Sequence, residues 1–153
     1  MSLSIVVDAG VLGLVTQRRG VDAADACRRW MTECLRRGHS FFVPEIADYE
    51  VRRELLRAGK ATGLARLDAF SSAEPDRYIP LTTAVMRRAA ELWADARRSG
   101  RPTAPDHALD CDVILAAQAL SLAHGSNDVV VATPNVGHLA RFVTAKEWTN
   151  IQP

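Results

Sequence analysis

The chain has 153 residues, of which 48% are hydrophobic and 24% charged, and its formal net charge is +1. That length suits one domain able to bury about two thirds of the surface its unfolded chain exposes, and the apolar-to-charged balance excludes a disordered chain. A charge so near zero excludes nucleic-acid binding by bulk electrostatics and leaves only arginines gathered locally.

Ser4 to Gly10 reads Ser-Ile-Val-Val-Asp-Ala-Gly. Three β-branched residues without polar alternation predict a strand covered on both faces, as in parallel sheets between helices. Asp8 ends that run. A carboxylate at the carboxyl end of a strand is either a working group in the crevice where the loops diverge or the cap of a short helix starting near Gly10. A short apolar piece, Val11 to Val15, leads to a polar turn at Arg18 to Gly20. A helix follows, capped by Asp22 or Asp25, with Ala26, Trp30 and Cys34 in its apolar stripe and Gly38 as its stop. Ser40 to Val43 is the second predicted strand. Pro44 opens a helix carrying Ile46, Tyr49, Leu55 and Leu56 up to Gly59.

A further helix is predicted from Ala61 to Phe70, then a short strand from Tyr78 to Leu81. Thr82 or Thr83 caps a helix whose stripe includes Val85, Ala89, Leu92 and Trp93 and which stops at Gly100. Gly100 to Pro105 holds two prolines and reads as a loop beside the site. Asp110 or a neighbour opens an alanine-rich helix through Ile114 to Ala123, and Asp128 to Ala132 is another β-branched strand. Thr133-Pro134-Asn135 and a short helix to Arg141 follow. The tail, Phe142 to Pro153, adds an edge strand and buries Trp148. Strands alternating with helices predict one α/β domain over residues 1–153, with a central parallel sheet and right-handed crossovers.

Cys27, Cys34 and Cys111 are odd in number and widely spaced, and no leader-type segment stands at the start, which points to a reducing cytoplasm. No apolar run approaches the roughly 20 residues that cross a bilayer. Cysteine and histidine at zinc-ligand spacing are missing.

Four polar positions stand at comparable places: Asp8, Glu50, Asp112 and Asn135. Carboxylates converging without neutralising cations raise one another's pKa and imply a bound cation. Oxygen-only ligation favours magnesium or manganese. Plainer roles compete at each position. Glu50 could pair with Arg53 or Arg57 on the helix surface; Glu45 suits the first turn as a surface residue; Asp110 serves as an N-cap. Asp112 directly precedes Val113-Ile114-Leu115-Ala116-Ala117 and so lies against a buried face.

The order Val-Val-Asp8-Ala, Pro44 with Tyr49-Glu50-Val51, Asp112-Val-Ile-Leu-Ala-Ala-Gln-Ala, then Thr133-Pro-Asn135-Val136 with Phe142, resembles the PIN-domain family over nearly the whole chain. Within it the chain is most similar to the bacterial VapC-type toxins, single-domain ribonucleases held inactive by an antitoxin. The resemblance implies a PIN-like three-layer sandwich with a central parallel sheet flanked by helices. It implies a Mg²⁺ or Mn²⁺ site from Asp8, Glu50 and Asp112, with Asn135 completing the catalytic set. It also implies an RNA substrate, an antitoxin partner and a homodimer. Arg52, Arg53 and Arg101 are candidates by position for gripping the RNA backbone. The Val11 to Val15 piece with the helix containing Trp30 is the expected contact surface between copies. Two departures stand out: Ala9-Gly10 where the family usually has a hydroxyl or amide, and Asn135 in place of aspartate. They leave open a degenerate PIN fold that binds RNA or protein without cutting. A phosphotransfer or receiver domain also has an aspartate after its first strand, but Gly10 stands where the haloacid-dehalogenase group would have a second aspartate, and only Lys146 follows a late strand.

Overall fold

The computed structural model describes residues 2–99, 106–123, 125 and 128–153, without the side chains of 106–109. Its elements are β1 (Leu3–Val7), α1 (Ala9–Val15), α2 (Asp22–Arg36), β2 (Ser40–Pro44), α3 (Glu45–Arg57), α4 (Ala61–Ser72), β3 (Tyr78–Ile79), α5 (Thr83–Arg98), α6 (Asp106–Leu120), β4 (Asp128–Ala132), α7 (Val136–Leu139) and β5 (Ala145–Lys146). Ile5, Val6 and Val7 are fully enclosed, as an unalternating strand requires. The sheet order is β3-β2-β1-β4-β5 and every neighbouring pair is parallel.

That order decides where a site can form. From β1 the chain steps outward to β2 and β3, then returns across the sheet to β4 and steps outward the other way to β5. Right-handed crossovers therefore put α1 to α4 on one face and α5 to α7 on the other. The packing agrees: α1 lies on α2 and α3, and α3 on α4, while α5 lies on α6 and α6 on α7. The direction reverses between β1 and β4, and the connections diverge there, opening a crevice at the carboxyl ends of those two strands.

Local chemistry explains the element ends. Thr82 caps α5, its hydroxyl accepting from the Val85 amide at 3.1 Å. Gly38 and Gly59, at φ +90° and +66°, turn the chain out of α2 and α3 through left-handed conformations that cost other residues more. Gln118, fully buried, accepts from the Ile46 amide at 3.2 Å and donates to the Ile79 carbonyl at 2.7 Å. It pins the start of α3 and strand β3 to α6, which fixes the helix carrying Glu50 relative to the helix carrying Asp112.

Four expectations change. The Val11 to Val15 piece is helix, and Val11, Leu12, Val15 and Trp30 lie in the core, so they offer no contact surface between copies. Their apolar area is already spent within the chain: Trp30 packs edge-on against Phe41 and beside the half-buried Trp148, and its indole N–H donates to the Ile151 carbonyl at 2.9 Å. Glu45 is not plain surface but half-buried, accepting from the Leu81 amide at 2.9 Å. Asp110 lies inside α6, which starts four residues earlier than expected, so it is not the N-cap. Val21 precedes α2 without a side-chain cap; Asp25 instead accepts from the Gly20 amide. The Gly100 to Pro105 loop and Arg101 lie outside the described residues. No helix among the described residues is long and apolar enough to cross a membrane.

Candidate active site

Asp8 follows β1 directly, caps α1 and stands at the crevice beside the end of β4. Its Oδ1 caps α1, accepting from the Gly10 amide at 2.8 Å and more loosely from Val11 at 3.4 Å. Its Oδ2 accepts from the Thr133 hydroxyl at 2.5 Å. Thr133 stands at the carboxyl end of β4, and its oxygen accepts in turn from the Asn135 amide at 2.9 Å. The Asp8 amide donates to the Ala132 carbonyl at 3.1 Å, so strand pairing holds the two ends in register. Burial pushes the Asp8 carboxyl above the ordinary aspartate range, and the bonds from Thr133, Gly10 and Val11 oppose that rise.

Gly10 has a steric reason. A Cβ there would meet Pro134 Cγ at 2.9 Å and Cδ at 3.0 Å, so the turn after β4 approaches α1 too closely for a side chain. The hydroxyl beside Asp8 comes from Thr133.

Glu50 projects from the second turn of α3. Burial raises its carboxyl, Arg53 counteracts, and Asp8 and Asp112 push it further up, while the Cys111 thiol donates to it. Asp112, on α6, is raised first by burial and also by Asp8; the neighbouring His138 lowers it, with Nδ1 lying 3.4 Å from Oδ2. Repulsion among all three carboxylates is felt only because they share one crevice. Asn135 precedes α7 without capping it, and its amide lies 3.4 Å from the same His138 nitrogen. The structure thus brings together Asp8, Glu50, Asp112 and Asn135, each from a different connection between elements.

The arginines divide. Arg53 is exposed, stacks over the Tyr49 ring at 5.2 Å from its centroid and counters Glu50. Arg52 is instead taken up by two carboxylates, Asp48 at 2.9 and 3.1 Å and Asp68 at 2.5 Å, which tie α3 to α4. A guanidinium so engaged has little left to offer a phosphate. Arg57 pairs with Glu54 at 2.6 Å and not with Glu50.

Sequence reasoning passed over three residues here. Thr133 carried a signal, a hydroxyl at the end of a β-branched run. His138 carried a weaker one, standing three residues after Asn135. Cys111 carried none, since only the fold brings its thiol to Glu50.

Asp8, Glu50 and Asp112 offer oxygen alone, the donor chemistry of a hard divalent cation, although Arg53 acts on Glu50 and His138 and Arg141 act on Asp112. Among the described residues no three His, Cys, Asp or Glu side chains are gathered closely enough to hold a metal ion in this structure.

A parallel sheet with acids gathered at its switch point defines a class, the α/β proteins that do their work at the carboxyl ends of their strands. No family model and no curated protein matches this sequence. Solved structures do match. The VapBC2 complex from Rickettsia felis, bound to a DNA fragment from its promoter, aligns at TM-score 0.67 and 14% identity over 95% of this chain and 98% of that one. FitAcB from Neisseria gonorrhoeae aligns at TM-score 0.66 and 18% identity, covering 96% and 99%. VapBC-1 from nontypeable Haemophilus influenzae aligns at 0.60 and 16%, covering 96% and 99%. The chain therefore has the α/β, PIN-like fold that its sequence resembles.

Proposed function

We propose that this chain is a divalent-metal-dependent endoribonuclease, the toxin of a toxin–antitoxin pair, working in the cytoplasm as a single PIN-like domain. The observation that carries the reading is the convergence of Asp8, Glu50 and Asp112 on the switch point of the sheet, where burial raises each carboxyl and Asp8 raises the other two further. A cluster that is costly when empty is relieved by a cation. The matched structures are toxin–antitoxin complexes, which supports an antitoxin partner for this chain as well.

Asp8, Asp112 and Glu50 would hold Mg²⁺ or Mn²⁺, which when bound lowers the pKa of water and offsets charge on a scissile phosphate. The chain's own residues do the rest. Thr133 keeps Asp8 oriented and ionised, and the α1 amides that Asp8 caps hold its second oxygen. Glu50, whose carboxyl reaches the same crevice, would ligate the cation or orient the attacking water. Asn135, uncharged, can hold a ribose or phosphate oxygen without adding repulsion, and Arg53 stands beside Glu50 for the RNA backbone.

Purified protein incubated with single-stranded and structured RNA in Mg²⁺, Mn²⁺ or EDTA tests this. Cleavage should need the metal and disappear in Asp8→Asn. Cleavage indifferent to EDTA refutes the mechanism, and RNA binding without cleavage leaves the degenerate module.

A further inference from the structure

A groove of about 590 Å³ leads away from the carboxylates between α1, α3 and α4. Gly10 and Glu50 stand at the end nearest the acids; Gly13, Arg53, Arg57 and Lys60 line the remainder. Resting on the nuclease reading above, we infer that this groove is the path of the RNA strand beyond the scissile phosphate, with Gly13 as its floor and Arg53 and Lys60 as its phosphate contacts.

Charge argues for a polyanion. The lining carries four cations, Arg53, Arg57, Lys60 and Arg66, against two acids, Glu50 and Glu54. Arg57 and Glu54 offset one another at 2.6 Å and Arg53 counters Glu50, so the lining's surplus of two positive charges rests with Lys60 and Arg66. Positive charge thus accumulates along the groove in a chain of net charge only +1, which is how a strand is drawn in when bulk charge cannot do it. On α3, Glu50, Arg53 and Arg57 follow at i, i+3 and i+7, so one helix face runs from the acids into the groove. Tyr49, 53% exposed beneath the Arg53 guanidinium, adds a surface on which a base can stack.

The floor argues for bulk. Glycine inside a helix costs about 1 kcal/mol relative to alanine, and at Gly10 close packing against Pro134 explains the choice. Gly13 has no such reason, because a Cβ there would meet nothing within 4 Å. A glycine that packs against nothing keeps a channel open instead. Arg66 closes the far side, its Nε donating to the Thr16 carbonyl at 2.7 Å and joining α4 to the end of α1.

Gly13→Leu is the decisive variant. A Cβ at Gly13 meets nothing within 4 Å and leucine favours the helix, so the added atoms extend into the groove, and a melting curve of the variant checks that it folds. Binding of a labelled, unstructured oligoribonucleotide to the full chain is measured by anisotropy in EDTA over a salt series, so that no cleavage intervenes. Gly13→Leu should weaken binding several-fold. Lys60→Ala should flatten the slope of log K against log salt by about 0.7, one single-strand phosphate contact. Arg36→Ala, on α2 outside this groove and 76% exposed, removes the same charge and should do neither. Binding unchanged in both groove variants, or equally weakened in Arg36→Ala, overturns the path. Groove-dependent binding by a protein that never cleaves overturns the nuclease reading alone; cleavage with groove-independent binding overturns this inference alone.

Discussion

Thr133→Val isolates the contact on which the Asp8 geometry depends. Valine keeps the shape of a fully buried side chain and removes only the hydroxyl. The loss includes a charge-assisted bond to Asp8, worth about 1.5–3 kcal/mol, and the acceptor of the Asn135 amide, whose residue is exposed enough for water to replace part of it. A deficit of about 2–4 kcal/mol corresponds to about 4–16 °C in melting temperature at this chain length. Thr133→Ser is the control: it retains the hydroxyl and loses one buried methyl, about 1 kcal/mol. The pH dependence follows from the direction of each effect. The Thr133 bond lowers an Asp8 pKa that burial has raised above 3.8, so its contribution is present while Asp8 is ionised and fades as pH falls through the folded-state pKa. Thermal unfolding in EDTA should therefore show the valine variant well below the serine variant at pH 7, the gap narrowing toward pH 4. Equal melting temperatures at pH 7, or a gap independent of pH, would show that the hydroxyl does not support the carboxylate.

Asp112→Asn should stabilise the metal-free protein by about 0.5–2 kcal/mol by removing one repelling charge, and the advantage should vanish on acidification, because wild-type acids of raised pKa regain stability as they protonate. In Mg²⁺ at about 100 times its dissociation constant, wild type should gain roughly 2.7 kcal/mol that this variant forgoes; a variant that melts lower in EDTA yet responds to Mg²⁺ like wild type marks Asp112 as structural. Gly13→Ala should raise stability by about 0.5–1 kcal/mol, whereas Gly10→Ala should lower it through the Pro134 contact, and chemical denaturation of both variants separates an open glycine from a crowded one. Burial pushes the Cys27 and Cys34 thiols up to about 11, so both should resist alkylation at pH 8 in the native protein and react on unfolding, as mass spectrometry can read.

Residues whose chemistry is local were readable in the sequence. Ile5 to Val7 announce an enclosed strand because only a sheet covered on both faces tolerates unbroken β-branched residues, and β4 matches its expected bounds, Asp128–Ala132, for the same reason. Asp8 and Asp112 could be picked out because each adjoins such a run. Long-range consequences were not readable. Nothing local to Val11-Leu-Gly-Leu-Val distinguishes a core helix from an exposed contact piece; what buries it is α2 and α3 closing over it. Arg52 and Arg53 look alike in sequence, and only the helical turn that brings Asp48 and Asp68 to Arg52 separates a structural tie from a cation beside the site. The hydroxyl beside Asp8 arrives from a residue 125 positions away.

That separation sets an order of events during synthesis. β1 leaves the ribosome first and can pair early with β2, but its other edge stays unpaired until Asp128–Ala132 has been made. Until then Asp8 lacks both its hydroxyl partner and the strand that holds it in register, and an open edge invites foreign pairing. A nascent chain already carrying Asp8, Glu50 and Asp112 therefore has the acids without the site. Whatever chemistry the crevice performs begins only once Asp128–Ala132 has joined the sheet.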